Sequence, residues 1–381
     1  MIKKLWTIAG LLAVLVGCED GDNGEATPLN QEAPPPVVIN IAEEDDAFSL
    51  EILPQIMWDY NYQGIILLDL VTNEILADFR AEAGNRVSSV YQLANGDVGV
   101  IVTPNLQGTF EFDGNIYMVL EDNTEIEATA TFILFDQELN LIEEIEITDT
   151  SLMLNHWYSD ISADEGQLKI YYPVNNRIYA YNLSTHTTEF IVEVELELSY
   201  LRLEVIANQI VFLAMDSNWD ASYCGVIDLE TKQVSFSQMD MLVEQLMVQG
   251  DYALLTERLA AFFGVPIRGE VVLFNIPTGE SRLFTVAEYE STNAIVIADR
   301  YVLTGSTSYI RLYDIRTNEL VLEQSPSIDL TVELGADGDP IDERRPGIHT
   351  FLTVSEGLYA VVFNVGDGTF HVEFITVAEI G

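Results

Sequence analysis

Short apolar runs recur along this chain, and seven of them end at a polar residue that is mostly followed by an apolar residue and then Thr. Leu67-Leu68-Asp69-Leu70-Val71-Thr72 and Leu312-Tyr313-Asp314-Ile315-Arg316-Thr317 are the clearest copies. Aligned on the polar residue, the copies fall at Asp69, Asp136, Asn182, Asp228, Asn275, Asp314 and Thr376, separated by 67, 46, 46, 47, 39 and 62 residues. Two positions earlier stand Leu67, Leu134, Ala180, Val226, Leu273, Leu312 and Phe374. Four positions earlier stand Ile65, Phe132, Ile178, Cys224, Val271, Ile310 and Val372. A spacing of two places these residues on one face of a strand. The residues directly before the turn (Leu68, Phe135, Tyr181, Ile227, Phe274, Tyr313 and Ile375) are apolar too, so the opposite face is also buried. Such a strand lies between two sheets.

The turn itself has a mechanism. Asp and Asn bond the backbone two residues on and start tight turns. Four residues later come Asn73, Asn140, His186, Lys232, Gly279 and Asn318, mostly types that tolerate the left-handed conformation a hairpin needs. A second strand pair lies upstream of several copies, as in Val90–Ile101, where Asn95-Gly96 signals a hairpin. Four strands at a repeat of about 45 residues match the blade of a β-propeller.

The sequence therefore predicts an all-β fold, a β-propeller over residues 37–381 with seven four-stranded blades, six and eight being left open. The last copy ends too close to its turn for an outer strand. Val37–Ile41 is expected to supply that strand and close the ring with both ends of the chain. The two long spacings hold insertions. Asn105–Glu127 is expected to form a hairpin turning at Asp113-Gly114, with Ile116–Leu120 as a strand; Ser325–Gly347 is acidic and then basic. Met239–Met247 and Leu254–Phe263 are the short helical candidates.

Charge and the first residues change the picture. Of 381 residues 62 are acidic and 16 basic, a net charge of −46, and 48% are hydrophobic, ample for a large core. Such a surface repels nucleic acid and anionic headgroups. Lys3 and Lys4 precede an apolar stretch, Leu5–Val16, too short to span a bilayer. It ends in Leu15-Val16-Gly17-Cys18, which resembles the lipobox of bacterial lipoproteins. The resemblance implies a signal peptide over residues 1–17, removal of that peptide and acylation of Cys18. Residues 18–36, acidic and ending in Pro34-Pro35-Pro36, read as a disordered tether. With Cys18 lipidated, Cys224 has no partner for an intrachain disulfide.

The turn phrase resembles the repeats of quinoprotein-like (PQQ-type) and YVTN-type bacterial propellers, whose blades carry an Asp-x-x-Thr-Gly-x turn. Asn275-Ile276-Pro277-Thr278-Gly279-Glu280 is the one copy that keeps the Gly, and no copy has the Trp of quinoprotein blades, which argues against cofactor binding. A lipid-anchored propeller is also similar, in fold and address only, to the scaffold lipoprotein of the outer-membrane β-barrel assembly machinery.

Candidate chemistry is sparse. His156, His186, His349 and His371 show no metal-ligand spacing. His186 occupies a turn position, His371 the final strand. His156, in Asn155-His156-Trp157-Tyr158, alone sits among aromatics, so His156 and Trp157 are candidates for binding at the funnel mouth. Cys224 stands in a core column and reads as a small hydrophobe. No nucleophile elbow, Walker loop, dinucleotide fingerprint or Cys-x-x-Cys occurs. Asp337, Asp339 and Asp342 could hold Ca²⁺, although 62 acidic residues produce such clusters by chance. No other cofactor is expected. Arg344 and Arg345, in the second insertion, are further binding candidates because loops on a rigid ring carry recognition.

The leading expectation is a non-catalytic, lipid-anchored scaffold that binds an envelope protein. It would touch the membrane through the Cys18 lipid alone, with the periplasmic face of the outer membrane favoured because Glu19, not Asp, follows Cys18. The alternative is an enzyme or small-ligand binder with a site in the central funnel, as in propeller hydrolases and lactonases. A cluster of perturbed Asp, His and Arg in the funnel would favour that alternative.

Overall fold

The computed structural model describes residues 37–41, 55–59 and 64–379, the last range with breaks of which 257–269, 286–292 and 326–346 are the longest. The first described element is β1 (Val37–Ile41). A three-stranded sheet follows: β2 (Gln55–Asp59), β3 (Gly64–Leu68) and β4 (Ile75–Arg80). Next come β5 (Asn85–Gln92) and β6 (Val98–Pro104), then an inserted three-stranded sheet of β7 (Leu106–Phe112), β8 (Asn115–Leu120) and β9 (Glu125–Glu127). The chain rejoins β6 through β10 (Ala130–Phe135) and ends the sheet with β11 (Leu141–Ile147).

Helix α1 (Thr150–Asn155) and a 3-10 turn (His156–Tyr158) lead into β12 (Asp160–Asp164), β13 (Gln167–Val174), β14 (Arg177–Asn182) and β15 (Thr187–Glu193). The next sheet is β16 (Leu198–Ile206), β17 (Gln209–Asp216), β18 (Ser222–Asp228) and β19 (Val234–Met239). After it come β20 (Gln245–Gln249), β21 (Tyr252–Thr256), β22 (Glu270–Asn275) and β23 (Ser281–Thr285), then β24 (Asn293–Ile297), β25 (Tyr301–Gly305), β26 (Ile310–Asp314) and β27 (Glu319–Gln324). The last sheet, β28 (Gly347–Ser355), β29 (Leu358–Asn364) and β30 (Phe370–Glu379), takes β1 as its fourth strand.

The six four-stranded sheets, with the three-stranded sheet β2–β4 seated between the last and the first of them, form the ring of a β-propeller. Among the described residues this first sheet therefore lacks the fourth strand that the sequence predicts. Apolar clusters fill the gaps between sheets, and they follow from sequence: strands such as β3 and β25 are buried along their whole length, whereas outer strands such as β4 and β27 are mostly exposed. Tyr91 and Ile101 of one sheet pack with Ile170 and Tyr172 of the next, Leu213 with Leu255, and Leu303 with Val361. Ile66 and Leu68 of the three-stranded sheet pack on Ala360 and Val362, while Ile65 packs on Val98 and Val100. The succession of clusters thereby returns to its start, and the ring is closed.

Closure uses both ends of the chain, as the sequence predicts. β1 pairs antiparallel with β30, from Val37 opposite Glu379 to Ile41 opposite Ile375. No turn forms at Thr376; it lies inside β30, paired with Leu358 on one side and Asn40 on the other. The strand runs on because β1 offers it a partner along its free edge.

The other six turns form where predicted. Asp69 Oδ1 accepts from the N–H of Val71 at 2.8 Å, Asp228 Oδ1 from Thr231 at 2.7 Å, and Asp314 Oδ1 from Arg316 at 2.8 Å. Positive φ falls at Asn73, His186, Lys232, Gly279 and Asn318, four residues on. The exception is the second copy, where Leu139 and not Asn140 takes φ 62°, because Asn140 is turned back onto both oxygens of Asp136.

Two further expectations change. The span Met239–Met247 is not helical where it is described: Met239 ends β19, and Gln245–Met247 start β20. Leu254–Thr256 of the other span belong to β21. Short apolar runs fit either period, and the neighbouring strands decide. The insertion at Asn105–Glu127 has the expected pairing of Phe112 with Asn115 and adds a third strand, β9.

Candidate functional site

Strands β5, β12, β16, β20, β24 and β28 form the inner edges of their sheets, opposite the exposed outer strands, and line the central funnel. A cavity of about 400 Å³ opens there against β5, the 3-10 turn and β16. Its wall includes Arg86, Ser88, Ser89, His156, Trp157 and Arg202.

The turn that carries His156 is set by α1. Asp149 caps this helix: its Oδ1 accepts from Leu152 N–H at 2.8 Å, while Oδ2 accepts from Tyr172 Oη–H at 3.0 Å and from the Thr188 hydroxyl. Leu152 and Met153 plug the adjoining cluster. The helix ends after six residues and presents His156-Trp157 to the funnel. The His156 carbonyl then accepts from Ser159 Oγ at 2.6 Å and Ser89 Oγ at 3.1 Å, which ties the turn to β5. Since the Ser159 hydrogen is used, the Tyr91 hydroxyl donates to Ser159 Oγ, 2.6 Å away. Burial pushes the Tyr91 pKa up, keeping it a neutral donor.

His156 itself is 3% exposed. Its Nδ1 lies 2.6 Å from the Met153 carbonyl, which can only accept, so Nδ1 carries the proton. Burial, with a smaller contribution from the Arg86 charge, pulls the ring pKa down to about 4. The ring is therefore neutral at pH 7, and Nε2 is a bare acceptor. Among the described residues this buried Nε2 has no hydrogen-bond partner, and neither does Arg86 Nε. The Arg86 guanidinium lies 4.9 Å from the centre of the Trp157 ring, which is 42% exposed.

Behind Arg202, the inner strands are stapled to one another. Asp160 of β12 accepts from Val205 N–H of β16 at 2.6 Å, and Glu204 of β16 from Val248 N–H of β20 at 2.6 Å. Gln249 of β20 accepts from Val296 N–H of β24 at 3.0 Å. Desolvation raises the Asp160 carboxyl to about pKa 6 and, with help from the Asp160 charge, the Glu204 carboxyl to about 8, while Arg202 pulls both down by less. Each residue keeps a partly open surface on the funnel while protein atoms crowd its carboxyl group, so desolvation dominates. At neutral pH, Glu204 is protonated and Asp160 mostly ionised, leaving two guanidiniums against one carboxylate beside the cavity.

The structure thus brings His156 and Trp157 to one cavity wall with Arg86 and Arg202, and sets Asp160 and Glu204 within electrostatic reach of Arg202, none of these four being marked by a sequence motif. A column does mark part of the set: Asp160, Glu204 and Gln249 are spaced by 44 and 45 residues, the repeat length. His186 lies in its turn, bonded through Nδ1 to the Tyr181 hydroxyl at 2.9 Å, and His371 lies on β30. Cys224 is fully buried and its thiol pKa is raised by that burial. Cys18, Asp337, Asp339, Asp342, Arg344 and Arg345 lie outside the described residues. Among the described residues no group of three or more His, Cys, Asp or Glu could hold a metal, and no helix is long and apolar enough to cross a membrane.

No protein-family model matches the chain, and no curated protein matches it. Among solved structures it is similar to the dihydro-heme d1 dehydrogenase NirN in complex with DHE, at TM-score 0.43 and 13% identity, over 86% of this chain and 74% of that one. It is also similar to the β-propeller domain of Myceliophteria thermophila Cps50 (Swd1), at TM-score 0.46 and 9% identity, over 90% of this chain and 100% of that one.

Proposed function

We propose that this protein is a lipid-anchored envelope propeller that binds a small anionic ligand in its funnel cavity. The observation that carries the reading is the placing of Arg86, Arg202 and His156 in one cavity wall, the buried Nε2 of His156 being without a hydrogen-bond partner. Only 16 basic residues stand against 62 acidic ones, so two arginines in one small cavity run against the charge of the whole molecule. Arginine forks match carboxylate and phosphate oxygens in two-point contacts. Binding rather than catalysis is favoured, because a histidine with a pKa near 4 is a poor general base at pH 7. The anchor reading is supported by Lys3, Lys4, the apolar stretch to Val16 and the lipobox-like Leu15–Cys18, and Glu19 in place of Asp after Cys18 favours the periplasmic face of the outer membrane.

The scaffold reading draws on exposed apolar side chains such as Leu76, Leu141, Phe190, Phe236, Leu283 and Leu320. They are spread over the outer strands of six sheets and not gathered on one, which suits a single protein partner poorly.

Calorimetry of the detergent-solubilised full chain against small carboxylates tests the anion reading. Saturable binding that is lost in both Arg86→Gln and Arg202→Gln is expected. Absence of any binding tighter than about 1 mM sinks it.

A further inference from the structure

This inference rests on the anion reading and deepens it: we propose that the ligand is a hydroxylated carboxylate of sugar-acid size, with its carboxylate held by Arg86 and Arg202 and a hydroxyl donating to His156 Nε2. The wall shows why a carboxylate alone is an incomplete match. Ser88 Oγ donates its hydrogen to the Ile101 carbonyl at 3.0 Å, and Ser89 and Ser159 donate theirs to the His156 carbonyl. The hydroxyl hydrogens are therefore used inside the protein, and what remains for a ligand at Ser88, Ser89 and His156 Nε2 is oxygen or nitrogen lone pairs. Two cationic forks beside a row of acceptors call for a molecule that is anionic at one end and rich in neutral donors elsewhere.

Ammonium donors fit less well, because a positive group would sit beside Arg86 and Arg202. Hydroxyls carry no such penalty. A buried acceptor without a partner is destabilising, so a ligand that donates to His156 Nε2 removes a defect already present in the protein. The volume of about 400 Å³ lies at the low end of the range for small-molecule sites and suits a six-carbon acid better than a two-carbon one.

The test compares three probes on the full chain by calorimetry: gluconate, hexanoate of the same carbon count without hydroxyls, and glucose without the charge. Gluconate is expected to bind about tenfold or more tighter than hexanoate, the difference one hydrogen bond to a buried acceptor can make, with glucose weakest. In His156→Phe the gap between gluconate and hexanoate should shrink, while Arg202→Gln should weaken both acids. Equal affinity for gluconate and hexanoate in the unaltered protein overturns the hydroxyl assignment and leaves the anion reading standing. Equal affinity for gluconate and glucose, or no binding by any probe, overturns both. The three-probe comparison needs no variant, so a misfolded His156→Phe would not blunt it.

Discussion

The carboxylate of Asp160 accepts the backbone N–H of Val205 across the gap between two inner strands, at 2.6 Å. Glu204 and Val248 repeat the relationship one sheet further on, and Gln249 and Val296 one sheet beyond that. An inner strand has a free edge whose N–H groups would otherwise meet only the funnel. Each staple satisfies one such donor with a side chain from the preceding sheet, so the inner edges are locked in angular register around the axis. The arrangement puts carboxyl groups in a crowded place, and Arg202 beside two of them is what brings a cation to the cavity.

Replacing Glu204 with Gln keeps the staple and removes the titration. The folded state holds the Glu204 proton up to about pH 8, whereas an unfolded glutamate releases it near 4.5. Between those values the folded chain binds more protons than the unfolded one, so this residue's contribution to stability falls as pH rises through the window and levels off above it. The Glu204→Gln variant should therefore match the unaltered protein at pH 4.5 and exceed it at pH 8.5, by on the order of 1 kcal/mol once the partly open funnel is allowed for. Urea unfolding at the two pH values measures this; a difference that does not change with pH would refute the shift.

Removing residues 37–41 should leave β30 with an unpaired edge along five register positions. A fall in melting temperature of roughly 5 °C or more is expected, with greater aggregation through the exposed edge. A synthetic peptide carrying Val37–Ile41 should recover part of the loss by adding as a strand. Unchanged melting on deletion would contradict closure through β1.

Gly225 of β18 tolerates no side chain. A Cβ there would strike the backbone carbonyl of Ser235 and come within 2.5 Å of Phe212 Cζ, and the backbone cannot yield as a side chain could. Gly225→Ala should cost about 2–3 kcal/mol in urea unfolding. Gly84, with nothing within 4 Å of its added Cβ, serves as the contrasting position, although its φ of 92° makes substitution there a matter of backbone strain alone. If Gly225→Ala unfolds at the same urea concentration as the unaltered chain, the close approach is not real.

Much of this architecture could be read from one repeated phrase, and the reason is physical. Turn chemistry is local: Asp69, Asn182 and Asp314 act on backbone two or three residues away, so their columns showed directly. The closing strand was legible from Val37–Ile41 because a blade without an outer strand needs one. The cavity was legible in one corner only. His156 and Trp157 stood out as aromatic neighbours, but Arg86 and Arg202 lie 70 and 46 residues from His156 and meet it only through the ring. At Met239, Gln245–Met247 and Leu254–Thr256 strands stand where the periodicity suggests helix, because buried strands and buried helices share apolar runs of that length; the rest of Leu254–Phe263 lies outside the described residues. Thr376 was misread because its outer partner, Asn40, comes from the other end of the chain.

Anion affinity should depend on pH through the carboxyls and not through His156. The histidine is already neutral above about pH 5, since its pKa is near 4, so its acceptor is constant across the neutral range. Asp160 and Glu204 ionise near 6 and 8, and each proton lost adds negative charge beside Arg202. The potential at the cavity therefore becomes less favourable to an anion as pH rises, with affinity greatest near pH 5–6 and reduced by about tenfold at pH 9. In Glu204→Gln the upper part of this decline should vanish while the part centred near pH 6 remains. Calorimetric titration of gluconate at pH 5.5, 7 and 9 in both proteins measures it. An affinity that rises with pH, or the same profile in both proteins, would show that the carboxyls behind Arg202 do not set the field in the cavity.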